Sequence, residues 1–314
     1  MHKIWRGGTE EGRQWPVSAA VSWSLLLNVS ILGLLLLSAL IHASWNLLAK
    51  RSLDKQAFLW LASLVSLAVF VVPFALAARP VPPEAWPLIF LSGVLEAVYF
   101  LLLGSAYQRG DMSLVYPLAR GSAPLFVLMF ASLFLGEQVR WTGMLGIVLV
   151  VAGIYTLHLK VLNLRGLLAP FLSLKDRPSQ IALLTGLTIG SYSVVDKVGV
   201  GYTGPISYIF LVFSVCSLVL VPYMWLVKSQ AIRREWRDNR PSILAVGVMS
   251  LCGFLLVLFA LTVSQVSYVA PVREISVVFG AVLGALVLRE PFARVKIAGS
   301  VLIFVGIVLI SLAG

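Results

Sequence analysis

Six ionisable side chains stand inside apolar stretches where charge is expensive, and they set the chemistry this chain can do: Arg120, Arg273, Glu96, Glu274, Asp196 and His42. An arginine at membrane depth costs several kcal/mol unless it faces a partner, water or a ligand. Its guanidinium is a planar fork of donors that matches a carboxylate or a phosphate. Arg120 and Arg273 are therefore candidates for contact with an anionic substrate, or else for ion pairs with Glu96 and Glu274. Glu96, Glu274, Asp196 and His42 are candidates for proton coupling or for ion pairing. Aromatic and amide groups share the same helical faces. Tyr116 and Arg120 are four residues apart, as are His42 and Asn46, and Tyr192 and Asp196, so each pair can point into one cavity. With Trp45 and Tyr99, these residues complete a candidate substrate site: Arg120, Arg273, Tyr116, Trp45, Asn46, Tyr99 and Tyr192.

The elements that carry them are membrane spans. With 60% hydrophobic and 12% charged residues, the chain reads as an integral membrane protein rather than a soluble globule. Apolar runs fall near 24–49, 57–78, 86–107, 112–135, 141–159, 180–201, 204–227, 242–263, 267–288 and 294–312, which predicts ten helices. Charged and proline-rich breaks separate them, the longest being the basic segment from Lys228 to Arg240. Pro117 and Pro271 each remove an amide hydrogen and loosen the helix beside an arginine. The pair Gly280 and Gly284 predicts close helix packing.

The arrangement occurs twice. A shift of 153 residues places Arg120 on Arg273, Phe126 on Phe279, Glu137 on Glu290, Gly146 on Gly299 and Gly153 on Gly306. Ser44, Trp45, Asn46 and Lys50 likewise match Ser191, Tyr192, Ser193 and Lys197 at a shift of 147. Five helices followed by five give an all-α membrane fold built as two inverted five-helix repeats, because an odd number of crossings turns the second copy over. The expected organisation is a polar tail over 1–20, a first repeat over 21–159, a connector over 160–179 and a second repeat over 180–314.

The motifs HASWNLLAK (42–50), SLVYPLARG (113–121), LGE (135–137), SYSVVDK (191–197) and VRE (272–274) resemble the EamA-type family of the drug/metabolite transporter superfamily. That resemblance runs from residue 24 onward. It implies a ten-helix, inverted-repeat carrier, often an exporter of amino acids or other small metabolites. Glu96, in the segment LEAVYF, departs from the pattern, since relatives more often carry a neutral residue or histidine there.

The expected function is secondary-active transport, most simply export of a small polar metabolite of the amino acid or organic anion class. A channel, or a polytopic sensor or membrane enzyme, is the alternative. No catalytic motif, nucleotide-binding loop or long loop for a catalytic domain occurs, so no enzyme activity, metal or cofactor is expected. Cys216 and Cys252 lie in apolar runs without metal-type spacing. The net charge of +11 sits mostly in short connectors, which points to membrane topology and not to nucleic acid. Partners are then the bilayer and a small-molecule substrate. Basic residues concentrate after the first, third, fifth, seventh and ninth helices. By the positive-inside rule this places those loops in the cytoplasm and both termini outside it, in a cell (inner or plasma) membrane.

Overall fold

The computed structural model describes residues 17–50, 52–77, 80–109, 112–158, 176–288 and 294–313, with side chains from residue 29 onward except those of 106–109, 112–117, 288 and 294. The chain folds into α1 (Val17–Ala49), α2 (Lys55–Ala77), α3 (Ala85–Arg109), α4 (Met112–Phe130), α5 (Trp141–Leu157), α6 (Arg177–Thr203), α7 (Pro205–Val263), α8 (Val266–Arg273), α9 (Ile275–Leu288) and α10 (Arg294–Ala313). No strand occurs among the described residues. Eight of the helical segments are long and apolar enough to cross a bilayer, and α5 is a shorter apolar helix. Large apolar side chains such as Leu226, Leu312, Trp141 and Phe134 are exposed on the outside, where lipid replaces water as their solvent. Most of the expected connector (159–175) and the first part of the tail (1–16) lie outside the described residues.

Three boundaries differ from the expected ones, each for a local reason. α1 begins at Val17, inside the segment read as a polar tail. The seventh and eighth runs join as the 59-residue α7, because the polar segment between them stays helical. α7 nevertheless doubles back: Ser217 meets Ser63 (3.0 Å) while the carbonyl of Gly247 accepts from Ser66 (2.6 Å), one turn along α2. In a straight helix residues 217 and 247 would be about 45 Å apart. Pro222 and Pro241 lie within the turn-back region. The polar bend is pinned to the start of α2. Asp54 caps Gln56 and Ala57 (both 3.1 Å), pairs with Lys228 (2.6 Å) and donates its own amide to Glu235 (2.5 Å). Finally, the ninth run breaks at Glu274, between α8 and α9. Pro271 cannot donate to the carbonyl four residues back, and the next amides close tighter three-residue turns.

Glycines set the closest helix contacts. A Cβ on Gly146 would lie 2.6 Å from the carbonyl of Gly306, and one on Gly153 would lie 2.7 Å from that of Gly299. Gly146 corresponds to Gly299, and Gly153 to Gly306, under the shift of 153. Equivalent helices α5 and α10 thus cross antiparallel, each residue meeting the partner of the other. That reciprocity is what a two-fold axis perpendicular to both helices produces, and it is the geometry of an inverted repeat. Gly186 and Gly190 do the same work between α6 and α4, against Ala119, Ser122 and Phe126. The expected packing role of Gly280 is not realised: a Cβ there would meet nothing within 4 Å, and Gly280 and Gly284 line a cavity instead.

Candidate functional site

That cavity has a volume of about 660 Å³ and runs from mid-bundle to one end of it. The inner part is walled by His42, Trp45 and Asn46 of α1, Glu96 and Tyr99 of α3, Arg120 of α4, Tyr192 of α6, Phe254 of α7 and Arg273. The outer part is formed by helix ends: Lys50 after α1, Lys55 at the start of α2, His158 after α5 and Lys296 in α10. Among the described residues of the lining, five are lysine or arginine and one, Glu96, is a carboxylate. A second, much smaller cavity lies on the other side of Arg120 and Arg273 and is lined by Asp196, Ser193, Val266 and Glu274. The two arginines stand between the two spaces.

Arg120 is buried and held from three elements. Its Nε lies 3.2 Å from Glu274 Oε2, one terminal nitrogen lies 3.4 Å from His42 Nε2, and the same nitrogen donates to Ser276 at 3.3 Å. The contact with Glu274 is ionic without an aligned hydrogen bond, since neither atom meets the other along an N–H direction. The charge pairing left open by the sequence thus involves Glu274 and not Glu96. Arg120 ties α1, α4 and the α8–α9 break together. Asn46 donates to the carbonyl of His42 (2.8 Å), and the His42 and Trp45 rings meet edge to face at 4.7 Å, which fixes this wall.

Arg273 is different. Its guanidinium lies over the Phe254 ring at 5.0 Å, its buried Nε has no hydrogen-bond partner, and it makes no ion pair among the described residues. Such an arginine is fixed in place by a cation–π contact with its donors left open. Asp196, by contrast, has partners: Ser92 (2.5 Å) and Tyr208 (3.0 Å) both donate to its Oδ1, locking α6 to α3 and α7. Tyr99 and Tyr192 meet edge to face at 6.1 Å on the cavity wall. Tyr116 belongs to α4, but its side chain lies outside the described residues, so nothing places it at the cavity.

The opposite end is closed by two clamps on the short link between α7 and α8. Glu137 accepts from the amides of Val266 and Ser267 (both 3.0 Å) and from the Ser267 hydroxyl, capping α8 with a carboxylate. Lys197 donates to the carbonyls of Leu261 (2.6 Å) and Ser264 (2.9 Å) at the end of α7. One clamp comes from each repeat. Tyr268 is buried here and accepts from the amide of Arg140 (3.3 Å). The cavity-facing lysines went unrecognised in the sequence because each reads as an ordinary connector charge. Their spacing carries no signal until the helix ends are brought together.

A duplicated helical bundle in the membrane, with a charged cavity reaching its middle from one end, defines a membrane transporter. The chain belongs to the EamA-like transporter family, which matches it twice, over residues 29–159 and 179–312. It is 29% identical over 227 residues to the pseudopaline exporter CntI of Pseudomonas aeruginosa, covering 72% of this chain and 75% of that one. It is 24% identical over 230 residues to the uncharacterized transporter YwfM of Bacillus subtilis, covering 73% and 74% respectively. A solved crystal structure superposes with a TM-score of 0.70 at 12% identity over 90% of this chain and 96% of its own, a likeness of fold.

Proposed function

We propose that this protein is a secondary-active exporter of a small polar organic anion in the cell membrane, working by alternating access and without chemical change to its cargo. The observation that carries this reading is the basic lining of the cavity: among the described residues Lys50, Lys55, Lys296, Arg120 and Arg273 line it together with the carboxylate Glu96, while Glu274 pairs with Arg120 from behind the wall. A low-dielectric cleft lined by one sign of charge concentrates the opposite sign. Arg273, with its donors open, is the residue that grips the anion, and Arg120 holds the wall against which it binds. Residues 21–159 and 180–314 form the two units and 160–179 join them. Ten crossings are supported by counting the doubled-back α7 as two and the short α5 as one beside the other spans. The ends of the chain support an even count, since the C-terminal end of α1 and the N-terminal end of α10 both meet the cavity mouth. The positive-inside pattern puts that mouth in the cytoplasm, both termini outside, and the clamped α7–α8 link at the outer face. With that orientation the open cavity is the loading side, as an exporter requires. The clamped end argues against a continuous pore. A relative named as an exporter supports the direction.

The test compares the growth medium of cells expressing the protein with that of cells expressing Arg273→Ala at equal membrane abundance. One or more anionic metabolites should accumulate outside with the natural sequence and fall at least tenfold with the variant. Equal profiles for the two would reject the reading.

A further inference from the structure

Among the described residues, the buried carboxylates of the bundle have partners with one exception. Glu274 lies against Arg120, Asp196 takes two hydroxyl donors, and Glu137 caps α8. Glu96 alone among these has neither a hydrogen bond nor an ion pair among the described residues, although it is 93% buried and faces the cavity (7% exposed). Arg273 lines the same cavity with its donors equally open. Opposite charges in a bundle interior ordinarily close on each other, because each left open costs several kcal/mol. Here they are kept apart by their supports: Glu96 is fixed on α3, while Arg273 is laid over Phe254 of α7.

We propose that Glu96 is a specificity-determining residue that receives a protonated amine of the cargo while its anionic group lies on Arg273, so the transported molecule is amphoteric. This rests on the reading of the cavity as a substrate site. A ligand positive at one end and negative at the other satisfies both open groups at once. A plain anion satisfies Arg273 but brings a second negative charge toward a buried carboxylate, so Glu96 selects against it as well as for the amine. The rings of Tyr99 and Tyr192, on the same wall, offer aromatic faces to an ammonium group.

The experiment uses the full-length protein in detergent and pairs of probes that differ by one amine: aspartate and succinate, glutamate and glutarate, 2,6-diaminopimelate and pimelate. Dissociation constants are taken from ligand-dependent thermal stabilisation for the natural sequence and for Glu96→Gln. The amine-bearing member of at least one pair should bind the natural protein at least tenfold more tightly than its partner, and Glu96→Gln should erase that ratio by weakening the amine and tightening the plain anion. If Glu96→Gln does not fold, the paired ratio on the natural protein still decides. Plain anions binding as well as their amine-bearing partners would overturn the role of Glu96 and leave the anion carrier standing. If no probe of either kind binds, both the role of Glu96 and the anion site fail.

Discussion

Replacing Arg120 by methionine separates a scaffold role from a substrate role, and the structure gives the size of the effect. Glu274, buried against Arg120 at 3.2 Å, would be left as an isolated carboxylate, which costs about 3–5 kcal/mol. Glu274→Met strands the guanidinium instead and costs about as much. The double variant strands no charge. It forfeits the contacts of Arg120 with His42 and Ser276, each worth about 1 kcal/mol, so its loss should be about 2 kcal/mol, well below the sum of the singles. Equilibrium unfolding of the four proteins in mixed micelles measures this coupling directly. Additive losses would show that Arg120 and Glu274 do not support one another and would refute the assignment of Arg120 as the tie between α1, α4 and the α8–α9 break.

Two further outcomes follow from close contacts. Gly153→Val should destabilise by about 1–3 kcal/mol, because its Cβ would lie 2.6 Å from Ile303 and 2.7 Å from the Gly299 carbonyl, whereas Gly280→Ala, with open space around it, should leave the melting temperature unchanged; equal melting of both would refute the antiparallel α5–α10 crossing. Glu137→Ala removes the acceptor of three donors at the α7–α8 link, so a cysteine placed at Val266 should react with a water-soluble maleimide at least fivefold faster than in the natural background; an unchanged rate would show that Glu137 does not hold this end shut.

Much of the architecture was legible because membrane folding speaks through two strong signals, long apolar runs and a repeat whose shift stays near 150 residues, 147 at the first helix of each half and 153 at the later ones. The shift that pairs Gly146 with Gly299 and Gly153 with Gly306 already contained the reciprocal crossing of α5 and α10. Arg120, Arg273, Glu96, His42, Trp45, Asn46, Tyr99 and Tyr192 line one cavity, whereas Asp196 and Glu274 line the smaller one, so the expected sharing of a cavity by Tyr192 and Asp196 does not occur. What escaped is long-range geometry. Glu274 and Glu96 are equivalent as partners for Arg120 in the sequence, and their separation into one paired and one open carboxylate depends on where the chain breaks after Pro271. Lys50 and Lys55 bound the first connector, Lys296 lies at the start of α10, and the three become one mouth when α1, α2 and α10 bring their ends together. The continuous helix through Lys228 to Arg240 was hidden because its polar residues satisfy α2, through Asp54, rather than water alone.

Counterflow tests the central claim of alternating access around this cavity most directly. Purified protein is reconstituted into liposomes loaded with the anion whose export depends on Arg273, and entry of the labelled compound is followed with and without the unlabelled compound inside. A carrier whose two repeats expose one site to each face in turn must show faster labelled entry when the opposite side is loaded, and Arg273→Ala must abolish that acceleration. Entry at the same rate with empty and loaded liposomes would contradict a carrier and return the protein to the class of channels.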